Sequence, residues 1–206
     1  MIAIIDYGVG NLFSLSCSFK AIGADTVVTG DPEIIRKADK LVLPGVGAFE
    51  NARKKLADSG LDELIIELVN GGKPLLGVCL GMQMLFEESH EYGIHKGLGL
   101  LPGIIVPIKD YVDSSLKVPH IGWNALHIKK DSRLFKYIKD GECVYYVHSY
   151  FAKTSDDVLL ATSEYGTDIT ASVEKGNIFG CQFHPEKSSD TGLNILKAFC
   201  EIGDKQ

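Results

Sequence analysis

Residues 74–81 read Pro-Leu-Leu-Gly-Val-Cys-Leu-Gly. An apolar run that meets two glycines bracketing a cysteine constrains the backbone more tightly than any other segment of the chain. The pattern predicts a buried strand turning sharply into a helix, with Gly77 and Gly81 permitting the tight path. Such an elbow holds the Cys79 side chain clear of the sheet and aims it outward. A cysteine in an apolar strand is ordinarily a small buried hydrophobe. Cys17, Cys143, Cys181 and Cys200 have no motif around them, and plain core or surface packing suits each.

The preceding residues alternate strands and helices. Ile2 to Ile5 is an apolar run, and Asn11 can cap a helix with Leu12, Leu15, Phe19 and Ile22 on one face and Gly23 as its stop. Thr26 to Val28 forms a second strand, Asp31-Pro32-Glu33 starts a helix, and Leu41 to Leu43 forms a third strand ended by Pro44-Gly45-Val46-Gly47. Helices follow over 48–58 and 61–70, and one from Leu80 to about Ser89 with Leu80, Met84 and Leu85 inward. This rhythm predicts an α/β fold, a largely parallel sheet with helices on both faces. Its site belongs at the C-terminal strand ends, after Asp6, Leu43 and Val78. The second half adds strands at 103–108, 121–128, 142–151, 158–162, 169–175 and 178–183, helices near 132–139 and 190–201, and a loop from Gly93 to Gly103. No repeat or linker divides residues 1–206, so a single domain is expected.

Composition excludes several classes. A net charge of −6 without a basic run argues against nucleic acid as the main partner. The N-terminus lacks a basic region and meets Asp6 too early for a signal peptide, and no apolar run approaches a membrane span of about 20 residues. Five cysteines without framework spacing fit a reducing cytoplasm. The six histidines make no metal-binding pattern, so neither a metal nor another cofactor is expected.

Gln182-Phe183-His184-Pro185-Glu186 supplies what a nucleophilic thiol lacks. His184 can take the Cys79 proton and return it to a leaving group, while Glu186 orients the ring and stabilises its charged form. The Leu80 N–H, at a helix start, suits a developing oxyanion, and the neighbouring loop Pro44-Gly45-Val46-Gly47 is the candidate for a second donor. Taken singly, Pro44 to Gly47 is an ordinary turn and His184 a satisfied core histidine.

Three segments together resemble the class I (triad) glutamine amidotransferases: Pro-Gly-Val-Gly at 44–47, Gly-Val-Cys-Leu-Gly-Met-Gln at 77–83 and Gln-Phe-His-Pro-Glu-Lys-Ser at 182–188. Their order and spacing match over essentially the whole chain. Four finer segments are similar to the glutaminase subunits of imidazole glycerol phosphate synthases: Asp6 to Asn11, Pro44 to Phe49, Pro119 to Asn124 and Val147 to Tyr150. Met82, where many triad amidotransferases carry His, agrees with that group.

The resemblance implies a flavodoxin-like amidotransferase fold with additional antiparallel strands. It implies hydrolysis of L-glutamine by Cys79, His184 and Glu186. Ammonia would then pass to a (β/α)8-barrel cyclase, in a heterodimer that makes imidazole glycerol phosphate and an aminoimidazole carboxamide ribotide. It puts Gln83, Ser149 and Tyr150 on the glutamine, Val46 and Gly47 in a mobile oxyanion peptide, and Asn11, Trp123, Tyr145 and Lys187 at the partner face near the ammonia exit. For Trp123, core packing is an equal alternative. A paralogue serving another synthetase, a free-standing γ-glutamyl hydrolase and an inactive docking module also remain open.

Overall fold

The computed structural model describes residues 1–203. Its N-terminal half follows the predicted alternation: β1 Ile2–Ile5, α1 Leu12–Ala21, β2 Thr26–Thr29, α2 Pro32–Lys37, β3 Lys40–Leu43, α3 Phe49–Asp58, α4 Leu61–Asn70, β4 Leu75–Val78 and α5 Leu80–Gln83. The second half contains β5 Glu88–Ser89, β6 His95–Lys96, β7 Ile104–Pro107, β8 His120–Ala125, β9 His127–Ile128, β10 Cys143–His148, β11 Tyr150–Lys153, β12 Leu159–Glu164, β13 Asp168–Lys175, β14 Ile178–Cys181 and α6 Ser189–Glu201. None of the described helices is long and apolar enough to cross a membrane.

The main sheet has the order β2-β1-β3-β4-β14-β13-β12-β9. The first five strands run parallel and the last three antiparallel to their neighbours. In β1, β3 and β4 every residue is buried, because helices cover both faces. Ala3, Ile5, Leu41, Leu43 and Leu75 pack on one face with Ile35, Phe49, Leu56 and Ile65 of α2, α3 and α4. Ile2, Ile4, Val42, Leu76 and Val78 pack on the other with Leu15 and Phe19 of α1 and Ile195 and Phe199 of α6. Strand alternation sends successive side chains to the two cores. Beside this sheet stand a four-stranded one, β11-β7-β5-β6, and the ribbon β10-β8.

Five expectations change, the first being that the strand expected over 121–128 divides at Leu126 between the ribbon and the main sheet. Asn11 holds the cap position of α1 without a side-chain cap bond. The helix after Cys79 ends at Gln83, because residues 97–101 return and use their N–H groups on the carbonyls of Met84, Leu85, Phe86 and Glu87. Those carbonyls are then no longer available to extend a helix. Gly97 makes the approach possible, since a Cβ there would stand 2.0 Å from the Phe86 oxygen. The segment 132–139 forms turns rather than a helix, with Ser132 Oγ accepting from Leu134 N at 2.9 Å. The strand expected over 142–151 breaks at Ser149 and divides between two sheets.

The elbow is a tight backbone junction that positions the site. A Cβ on Gly81 would lie 1.9 Å from the Leu43 carbonyl oxygen, and one on Gly77 would lie 2.7 Å from Met82 Cα. Both obstacles are backbone atoms that cannot swing away. Gly81→Ala should therefore lower unfolding stability by about 2–4 kcal/mol, measured by denaturant titration. A loss under about 0.5 kcal/mol would mean that the junction yields easily.

Candidate active site

Cys79 sits between β4 and α5 with φ +55° and ψ −115°, a backbone conformation that costs a non-glycine residue of order 1–3 kcal/mol. Its N–H donates to the Cys181 carbonyl at 2.7 Å, tying the elbow to the end of β14. The chain leaving β14 reaches His184 three residues later. The His184 N–H donates to the Tyr145 carbonyl at 2.9 Å, and its carbonyl accepts from Ser188 Oγ at 2.7 Å. A one-turn 3₁₀ helix, Pro185–Lys187, brings Glu186 back beside it.

These connections bring Cys79, His184 and Glu186 together. His184 Nδ1 lies 2.9 Å from Glu186 Oε1, and the ring also interacts with the Cys79 thiol, for which Nε2 is the nitrogen left. The His184 and Glu186 side chains are 4% and 2% exposed. Burial alone would lower the imidazole, but the neighbouring Cys79 and Glu186 reverse that and raise it to about 10. The ring is thus built to receive a proton and hold it at neutral pH. The dipole expected at the helix start rests on only four residues of α5.

A cavity of about 340 Å³ opens over the thiol. Its walls include Val46, Gly47, Cys79, Leu80, Gln83, Ser149, Tyr150 and His184, so eight of the predicted residues meet there. Gln83 is buried rather than solvated, donating from Nε2 to the Tyr150 carbonyl at 3.0 Å and to Gln182 Oε1 at 2.9 Å. Glu91, Tyr92, Pro119, Val147 and His148 also line the cavity. Sequence reasoning did not single out Glu91 or Tyr92; a polar pair before Gly93 in a long loop was the available signal.

The loop 44–47 is held at both ends and loose between them. Tyr7 donates from its hydroxyl to the Pro44 carbonyl at 2.8 Å, and Phe49 N–H donates to Glu91 Oε2 at 2.6 Å. Between these anchors Val46 is 41% exposed, and Gly47 has φ +86° with open space where a Cβ would stand.

The four residues expected at a partner face cluster around the outer rim. Asn11 Nδ2 reaches Glu186 Oε1 at 3.5 Å. Lys187 Nζ stands 5.9 Å over the Tyr145 ring, which meets Trp123 edge-on at 6.0 Å. Trp123 is 53% exposed, so its ring is not in the core. On the ribbon β10-β8, Val147 pairs with Ile121 and Tyr145 with Trp123, and all four side chains reach the same outward face.

The sequence model of the family "Glutamine amidotransferase class-I" matches residues 3–202. The imidazole glycerol phosphate synthase subunit HisH of Methanothermobacter thermautotrophicus is 51% identical, over 98% of each chain. That of Bacillus licheniformis is 48% identical, over 100% of this chain and 98% of its own. Among solved structures, a glutamine amidotransferase superposes with TM-score 0.75 at 18% identity, covering 97% of this chain and 99% of the other. PurLQS from Thermotoga maritima superposes with TM-score 0.70 at 20% identity, covering 96% of each. The structural likenesses establish the fold, and the full-length sequence matches establish the lineage. The chain belongs to the class I glutamine amidotransferase family, within its branch of imidazole glycerol phosphate synthase HisH subunits.

Proposed function

We propose that this chain is the glutaminase of an imidazole glycerol phosphate synthase, hydrolysing glutamine at Cys79 and delivering ammonia to a (β/α)8-barrel cyclase in the cytoplasm. The observation that carries this reading is the contact of Cys79, His184 and Glu186 beneath one small cavity. Cys79 Sγ attacks the side-chain amide carbon of glutamine as its proton passes to His184 Nε2. The tetrahedral oxyanion is held by the Leu80 N–H and by an N–H of the Val46–Gly47 loop. His184 then protonates the departing nitrogen, the C–N bond breaks, and ammonia leaves a γ-glutamyl thioester on Cys79. Water attacks the thioester carbon and gives its proton to His184. The C–S bond breaks, the sulfur recovers that proton, and glutamate departs.

Glu186 keeps the His184 hydrogen on Nδ1 and balances the charged ring, with Asn11 bracing its carboxylate. Gln83, Ser149 and Tyr150 orient the α-groups of glutamine. The outward face of Ile121, Trp123, Tyr145 and Val147 suits a partner docking beside the ammonia exit, and Lys187 at its edge suits a carboxylate on that partner. Removing His184 takes away both proton acceptor and donor, whereas Glu186 acts only through the ring. His184→Asn should reduce glutamine turnover by several orders of magnitude and Glu186→Gln by distinctly less, measured as glutamate release. Near-normal turnover in His184→Asn would require another base.

The anchored but open loop at 44–47 supports a gate. If its N–H points away at rest, the missing donor costs about 2.7–4 kcal/mol and slows the isolated chain roughly a hundred- to a thousand-fold. A partner opens the gate by binding the active arrangement more tightly than the idle one. Glutamate release should be slow for the chain alone, faster with its cyclase, and fastest with cyclase plus acceptor nucleotide. Full activity of the isolated chain, unchanged by either addition, would favour a free-standing hydrolase.

A further inference from the structure

Two buried histidines outside the triad, His120 and His148, face each other across β8 and β10. Their inward side of the ribbon is opposite the Trp123 face. The backbone they reach has an unusual need. Tyr150 begins β11, the edge strand of its sheet, and stands opposite Pro107. The neighbouring Ser149 carbonyl already accepts from Ile108 N–H at 2.9 Å. Hydrogen bonding alternates along an antiparallel ladder, so the Tyr150 carbonyl faces away from β7, onto the free edge. A carbonyl there needs donors from elsewhere. Gln83 Nε2 supplies one at 3.0 Å, and His148 Nδ1 supplies the other at 2.8 Å.

A carbonyl can only accept, so His148 carries its hydrogen on Nδ1 and, when neutral, offers Nε2 as an acceptor. His120 Nδ1, 3.0 Å away, must then donate to it. His120 Nε2 is left to accept from Asn124 Nδ2 at 3.4 Å, and the same amide donates to the Glu164 carbonyl at 2.8 Å. Every hydrogen points one way, from Asn124 through His120 and His148 to Tyr150. An amide at one end and a carbonyl at the other make no proton source or sink, which excludes a proton wire. The His120 ring is clamped between Tyr146 and Tyr165, with centroids at 4.7 and 4.1 Å. Burial pushes His120 down to about 4 and His148 to about 3, so both stay neutral at physiological pH.

We propose that His120 and His148 are positioning residues, a one-directional hydrogen-bonded strut that sets the Ser149–Tyr150 wall of the cavity and thereby the affinity for glutamine. The proposal rests on the glutaminase reading above and adds a link from the ribbon to the substrate wall. The strut does not touch the reacting atoms, so its loss falls on KM rather than on kcat.

The test uses the complete complex with its cyclase. In His148→Asn the carboxamide nitrogen overlies Nδ1 and keeps the donor to Tyr150; in His148→Gln it lies near Nε2 and abandons that bond. His148→Gln should raise KM for glutamine about ten-fold with kcat changed less than two-fold, while His148→Asn restores KM to within about three-fold of wild type. Asn124→Ala, outside the cavity wall, should raise KM about two- to five-fold. Equal KM values for the two His148 variants, unchanged KM in Asn124→Ala, or a loss confined to kcat would overturn the strut. If a His148 variant does not fold, the Asn124→Ala result decides alone. A wild-type complex that releases no glutamate would reject the glutaminase reading itself, and the strut with it.

Discussion

Gly81 packs so closely on the end of β3 that a Cβ would stand 1.9 Å from the Leu43 oxygen, and Gly45 meets Gly81 N from the other side, at 2.7 Å from its own virtual Cβ. This backbone-on-backbone docking makes the thiol-bearing elbow and the 44–47 loop a single unit. Cys79 accepts a left-handed backbone there because its N–H is fixed to the Cys181 carbonyl and α5 is seated across Gly77 and Gly180 through Met82. The bond to Cys181 also sets where β14 ends, and hence where His184 emerges. Thiol, imidazole and loop thus converge through contacts between neighbouring parallel strands, without a rigid element dedicated to each.

The same residue type is driven in opposite directions within this small volume. His184 is buried, yet Cys79 and Glu186 beside it raise its affinity for the proton it takes from the thiol. His148 and His120 are also buried, but neither ring has an acidic hydrogen-bond partner, so burial prevails and they stay neutral, with the nearby His120 and His184 rings pushing His148 the same way. In our account this difference divides the labour. A ring that exchanges protons needs acidic partners, while a ring that holds geometry needs a fixed tautomer and no acidic hydrogen-bond partner.

The N-terminal half was readable because its signals are local. Asp31 before Pro32 gives the expected cap, with Glu33 N–H bonded to Asp31 Oδ1 at 2.8 Å, and the apolar runs at Ile2, Leu41 and Leu75 become strands buried on both faces. Cys79, His184 and Glu186 were legible from motif chemistry, and the structure brings them into contact. What failed, the turns at 132–139 apart, depended on distant segments. The short α5 follows from residues 97–101 taking the carbonyls just beyond it, and the break at Ser149 from the Ile108 bond to the Ser149 carbonyl and the His148 bond to the Tyr150 carbonyl. Asn11, read as a cap, turns instead toward Glu186, 175 residues away in sequence. Nor does strand periodicity reveal that His120 and His148 would meet, because that depends on the register of β8 against β10.

The central claim is that one cysteine of the five forms a covalent intermediate. Rapid acid quench of the complex turning over glutamine, followed by peptide mass spectrometry, measures this directly. The account predicts a γ-glutamyl thioester on the peptide containing Cys79 and on none containing Cys17, Cys143, Cys181 or Cys200. Turnover with no adduct on Cys79, or with the adduct on another cysteine, would contradict it.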